Sequence, residues 1–190
     1  MVLKKINTAV FISGTGSNFR NLIKFSIKKE NKLNIKLVIS NDSKAKGLYY
    51  AKKFKIKKKI VNYKNLKISE NQILLAVRKN NIKLICLAGY MKILSKNFIK
   101  KFNGKILNIH PSLLPKYRGL NTHQRAIDNK DKYSGCTVHY VNHKLDLGKI
   151  IIQKKVKIRK NDTSVTLAKK ILKQEHILYP KAILKVLSNL

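Results

Sequence analysis

A chain of 190 residues has room for one well-buried core and is too short for two ordinary domains with a linker. Its formal net charge of +35, from 43 Lys and Arg against 8 Asp and Glu, would ordinarily suggest a nucleic acid or an anionic membrane. Arg occurs only at positions 20, 78, 118, 125 and 159, however, and the lysines run through the whole chain among abundant Ile and Asn. That is the signature of A+T-rich coding, and without interleaved aromatic and basic stripes it argues against a specific nucleic-acid interface. Cys86 and Cys136 cannot build a disulfide framework and have no metal-type neighbours, so a reducing cytoplasm fits. No apolar window approaches membrane-spanning length, and the expectation is a soluble, unprocessed protein with no membrane partner.

The first element, Ile6 to Ser13, is an apolar, β-branched run that breaks at Gly14-Thr15-Gly16-Ser17-Asn18. A helical pattern through Leu22, Ile23 and Ile27 follows. Free backbone N–H groups and the positive end of a helix dipole favour an anion at such a junction. Phe19, Arg20 and Asn21 supply no further glycine for a dinucleotide fingerprint, so the loop reads as a phosphate monoester site. A plain strand-to-helix turn accounts for the glycines equally well.

Strands are next expected at 35–40, around 59–61, at 84–89 and at 106–109, with helices at 44–54, 69–79 and 95–102 between them. Tyr90 to Leu94 follows the fourth strand. Such repeated βα units predict an α/β fold with a doubly wound, mostly parallel sheet whose ligands bind at the strand carboxyl ends. Beyond a short helix through Arg125 to Asp128, β-like runs at 135–141 and 150–158 predict an antiparallel extension near the carboxyl terminus. A last helix begins at an Asp162/Thr163 cap and runs to about Leu187, with Pro180 expected to kink or interrupt it.

Asn108 and His110 stand two apart where the fifth strand ends at Pro111, so their side chains share a face. A turn-stabilising role for the pair competes with a catalytic one. Among the eight carboxylates, Asp162 looks like a cap and Asp42 a turn residue, while Glu30, Glu70, Asp128 and Asp131 occupy polar helix or loop positions. Asp146 lies in a loop between two apolar strands with Gly148 two residues on, which suits either a turn or a site. His139 alternates with Thr137 and Val141 on a strand and reads as a core or supporting residue; His143 reads as solvated loop, and His123 and His176 as helix-face residues. No histidine pair has zinc spacing with a third ligand, so no metal is expected. Ser112 and Cys136 lack the surroundings of a nucleophile.

Five ordered blocks, ISGTGSN at 12–18, LAGYMKIL at 87–94, ILNIHPSLLPKYRG at 106–119, VHYVNHKLDLGKIIIQ at 138–153 and QEHILYP at 174–180, resemble the glycinamide ribonucleotide formyltransferases of purine synthesis. The resemblance covers essentially the whole chain. It implies a Rossmann-like formyltransferase fold over 1–190, with a phosphate-binding half at about 1–105 and a catalytic and folate half at about 106–190. It further implies a direct attack of the substrate amine on 10-formyltetrahydrofolate, with Asn108, His110 and Asp146 catalytic. Gly16, Ser17 and Asn18 would bind the ribonucleotide phosphate, and Gln174 and Glu175 the ribose end. Folate would contact Lys67, Met91, Lys92, Ile93, Leu94, Asn108, Asn142, His143, Lys144, Leu145 and Asp146. Lys92, Arg118 and Asn121 depart from residues common in the family. The partners implied are small molecules, with the protein a monomer or homodimer. A formylmethionyl-tRNA formyltransferase would be expected to carry a carboxyl-terminal domain, and a formyltetrahydrofolate deformylase an amino-terminal regulatory one. A non-catalytic, nucleic-acid-binding protein would not need the Asn108, His110 and Asp146 set.

Overall fold

A computed structural model describes residues 5–28 and 30–188. In chain order the elements are β1 Ile6–Ile12, α1 Ser17–Ser26, β2 Leu33–Ser40, α2 Leu48–Lys53, β3 Lys57–Ile60, α3 Leu66–Lys79 and β4 Leu84–Leu87. They continue with α4 Lys96–Lys101, β5 Lys105–His110, α5 Thr122–Asp128, β6 Tyr133–Tyr140, β7 Ile150–Lys157 and α6 Ser164–Leu187. The strands form one seven-stranded sheet in the order β3-β2-β1-β4-β5-β6-β7. Contacts group the chain into two units, Met1–Leu107 and Asn108–Leu190.

In the first unit β1 pairs in parallel with both β2 and β4, and β2 with β3. β1 and β4 are buried through almost every residue, which is why they read as unbroken apolar runs rather than alternating ones. Phe11, Phe19, Leu22, Ile23, Ile39, Ile73 and Ile85 make the centre of this core. The connection order reverses beside β1, so a crevice is expected past the carboxyl ends of β1 and β4. β3 is an edge strand, and its four residues, KKKI, are all exposed. Lysines there keep the open edge from pairing with another chain.

In the second unit β6 and β7 are antiparallel, as the two β-like runs suggested. α6 packs on both of them. Thr163 is its N-cap, in a capping box with Thr166, while Asp162 accepts from the Arg159 N–H at 2.8 Å and ion-pairs with Lys170 at 2.6 Å. Contrary to the expected interruption, α6 is continuous across Pro180. Tyr179, Ala182 and Ile183 flank the proline and are fully buried, and this burial outweighs the hydrogen bond that proline cannot make.

Candidate active site

β5 ends in the pair that the sequence singled out. Asn108 and His110 project to one side because they are two apart on a strand, and His110 is buried. Its Nε2 lies 2.8 Å from the Tyr117 carbonyl oxygen. A carbonyl can only accept, so Nε2 carries a hydrogen and the second ring nitrogen, Nδ1, faces Asp146 Oδ2 at 3.4 Å. Asp146 Oδ2 also accepts the Gly119 N–H at 2.9 Å, while Oδ1 lies 3.4 Å from Asn108 Nδ2 and 3.5 Å from His139 Nε2.

The carboxylate reaches this position at a cost in backbone freedom. Asp146 adopts a left-handed conformation, with φ 51°. Two residues on, a β-carbon at Gly148 would lie 1.6 Å from the Tyr140 carbonyl oxygen, so only glycine lets the loop settle against the end of β6. The other wall is tied down as firmly. Thr137 Oγ1 donates to the Ser112 carbonyl at 2.7 Å and accepts the Leu114 N–H at 3.1 Å, anchoring the loop after His110 to β6. The Tyr117 hydroxyl donates to Asp131 at 2.8 Å, and the Arg125 guanidinium lies 5.0 Å from its ring centre. Tyr117 is thereby fixed with its carbonyl on His110.

Burial is the largest influence on His110 and holds its pKa below the ordinary 6.5, against the Tyr117 carbonyl and Asp146, which both pull it up. Burial acts on Asp146 too and works to raise its pKa, but the Gly119 N–H donated to Oδ2 and the nearby His110 help to hold its carboxyl below the ordinary 3.8. An ionised aspartate thus faces a largely neutral imidazole. A proton arriving at His110 Nδ1 would be met at once by the carboxylate, so the pair can charge in step with negative charge developing beside it.

In the first unit the glycine loop crosses from β1 to α1. Gly16, at φ 71°, precedes the helix, and no side-chain hydrogen bond caps it. A β-carbon on Gly16 would lie 2.5 Å from Gly47 Cα, so close packing here also demands glycine. Ser13 joins this loop to the one after β4: its N–H donates to the Gly89 carbonyl at 3.1 Å, and its Oγ accepts the Met91 N–H at 2.8 Å. Met91 and Ile93 are exposed, and Leu94 is buried.

A protein-family model for formyl transferase matches residues 6–183. This chain belongs to the formyl transferase family. It is 43% identical over 184 residues to the phosphoribosylglycinamide formyltransferase of Haemophilus influenzae, covering 95% of this chain and 86% of that protein. A crystal structure of the phosphoribosylglycinamide formyltransferase of Brucella melitensis superposes with a TM-score of 0.91 at 42% identity, covering 96% of each chain. The trifunctional purine biosynthetic protein adenosine-3 of Homo sapiens is 41% identical over 189 residues, 98% of this chain; the chain spans only 19% of that protein's length.

Asn108, His110 and Asp146 lie together at the end of β5, and Gly16 precedes α1, whose first residues are Ser17 and Asn18. Glu175 is buried and Gln174 half-buried on α6. Asn142 holds its own loop, accepting the Lys144 N–H at 2.9 Å and donating to the Leu147 carbonyl at 3.2 Å, with His143, Lys144 and Leu145 exposed. Lys67 is exposed in the first turn of α3, and Lys92 Nζ sits 5.7 Å from the Tyr63 ring centre. Among the described residues no group of three His, Cys, Asp or Glu side chains could hold a metal ion, and no helix is long and apolar enough to cross a membrane. Burial pushes the Cys136 thiol up to about 12, leaving it inert.

Two residues outrank their sequence reading. Glu70, taken for a polar helix position, is buried and accepts from both the backbone N–H and the hydroxyl of Ser95. His139, taken for a core or supporting residue, touches Asn108 and Asp146. A signal existed for the second: Thr137 and His139 put two polar side chains on one face of an otherwise apolar strand.

Proposed function

We propose that this formyl transferase moves the formyl group of 10-formyltetrahydrofolate to the amino group of 5'-phosphoribosylglycinamide, the formylation step of purine synthesis. The observation that carries the reading is the meeting of His110 and Asp146 at 3.4 Å beside Asn108. The nucleophile is the substrate amine, so the protein needs none of its own. As the amine attacks the formyl carbon, the carbonyl oxygen becomes an oxyanion and the nitrogen an ammonium. Asn108 donates a hydrogen bond to the oxyanion, and His110, taking through water the proton that the ammonium sheds, becomes the cation that stabilises it and then passes that proton on to the departing folate nitrogen. Asp146 favours the charged imidazole and helps relay the ammonium proton towards the departing folate nitrogen, through water. The carbonyl reforms as that nitrogen leaves with its proton, giving formylated amine and tetrahydrofolate.

Gly16, Ser17 and Asn18 take the phosphate of the ribonucleotide, and Gln174 and Glu175 its ribose. Exposed Met91 and Ile93, after the left-handed Gly89, offer apolar surface to a planar pterin. Lys92 and Leu94 belong to the same folate segment, Asn142, His143, Lys144, Leu145 and Asp146 also contact the folate, and Lys67 meets its acidic tail. We place the phosphate-binding half at about 1–105 and the catalytic and folate half at about 106–190. The protein works in the cytoplasm as a monomer or homodimer. Supplied with 10-formyltetrahydrofolate, it should consume phosphoribosylglycinamide and leave charged initiator tRNA untouched; formylation of the tRNA instead would reject the substrate assigned here.

A further inference from the structure

We propose that His139 is a positioning residue for Asn108: its Nε2, together with Asp146, holds one amide N–H of Asn108 and so turns the other towards the reacting carbonyl. The inference rests on the formyl-transfer reading above and adds to it the group that orients the oxyanion donor.

His139 Nδ1 lies 2.9 Å from the Tyr140 carbonyl oxygen. That oxygen accepts only, so Nδ1 carries the hydrogen, and Nε2, which faces the amide nitrogen of Asn108, is the ring's acceptor. Asn108 Nδ2 is 3.3 Å from this Nε2 and 3.4 Å from Asp146 Oδ1, and the two acceptors are 3.5 Å apart. The three atoms make a nearly equilateral triangle, so the acceptors subtend about 60° at the amide nitrogen, whereas its two N–H bonds diverge by about 120°. One N–H therefore lies between both acceptors, and the second points away from them. Turning the amide over would set its oxygen against a carboxylate and an imidazole lone pair, so two acceptors on one side select a single orientation. A donor fixed before the charge forms needs no reorganisation when it does. Asp146 alone would leave the amide freer to rotate, because one acceptor does not define a plane. Burial of His139, 2% exposed in β6, keeps water from replacing its nitrogen.

The test compares His139→Leu, which keeps bulk without an acceptor, with His139→Gln, whose side-chain oxygen can reach the Nε2 position. His139→Leu should lower kcat by about tenfold to a hundredfold with KM for either substrate within about twofold, while His139→Gln recovers most of the rate. In an Asn108→Ala background His139→Leu should cost less than about twofold more, since the group it positions is gone. A full additional loss there, or an unchanged rate in His139→Leu, would overturn the proposal. A readout independent of turnover is the Asn108 side-chain amide in 15N-labelled protein, identified by its disappearance in Asn108→Ala. One of its two protons should be displaced downfield in the wild type and return in His139→Leu. An unmoved signal would overturn the positioning role even if the enzyme acts on another amine; a wild type that transfers no formyl group while this signal behaves as expected would reject the function alone.

Discussion

Gly148 packs so closely on Tyr140 that a β-carbon built on it would lie 1.6 Å from the Tyr140 carbonyl oxygen. The contact sets the path of the loop that carries Asp146, because the single residue between Asp146 and Gly148 leaves little slack. Gly148→Ala should shift that loop, reduce formyl transfer by at least about tenfold and lower stability by about 1–3 kcal/mol. Single-turnover rates and urea unfolding on the same preparation measure both; wild-type values for the two would mean that the carboxylate is placed by something else.

Glu70 joins α3 to the segment after β4. It accepts the Ser95 N–H at 2.7 Å and the Ser95 hydroxyl, while Ser95 Oγ caps α4 by accepting the Phe98 N–H at 3.0 Å. Glu70→Ala would leave two half-buried donors of Ser95 without their acceptor and should destabilise the protein by about 1–2 kcal/mol, with Glu70→Gln milder because one oxygen remains. Since Ser95 directly follows Leu94, we expect the KM for the folate to rise more than the KM for the amine. Steady-state kinetics on both variants check the order.

Acid should weaken the fold in two steps of the same sign. His110 and His123 are held below the ordinary 6.5, chiefly by burial, so below that pH the unfolded chain binds protons that the folded one refuses. Stability therefore falls as pH drops from about 6.5 through the folded values. Asp146, held below the ordinary 3.8 despite its burial, contributes stability that is present above the unfolded value and lost as pH falls through the folded one. Urea midpoints between about pH 7.5 and 5.5 should decline in the wild type and less steeply in His110→Asn, with His123 left to titrate. An equal slope in both proteins would place the first step elsewhere.

Much of the architecture was legible because buried parallel strands advertise themselves: β1 and β4 are apolar runs cut off by glycine, and the carboxyl-terminal hairpin shows two β-rich runs about a turn. β3 was the hard strand, since KKKI at a solvent-facing edge has no apolar signature, and its observed span, Lys57–Ile60, begins before the apolar residues that drew attention. Pro180 does not interrupt α6, because its neighbours Tyr179, Ala182 and Ile183 are fully buried. Within the site, Asn108 and His110 could be paired from strand alternation, but nothing local says that Asp146 crosses to them. That depends on a left-handed residue, a glycine at a close contact and a chain path through α5 and β6. His139 and Glu70 were under-read for a related reason: burial of a polar side chain is a tertiary fact, and on a strand or helix such residues look like ordinary members of the pattern.

The central claim is that Asn108, His110 and Asp146 act as one formyl-transfer site. Its most direct measurement is the single-turnover rate of formyl transfer from 10-formyltetrahydrofolate to phosphoribosylglycinamide by the wild type, His110→Ala and Asp146→Asn, each checked for folding by thermal unfolding. The account predicts transfer by the wild type and losses of about a hundredfold or more in each folded variant. A folded His110→Ala or Asp146→Asn protein with the wild-type rate would contradict it.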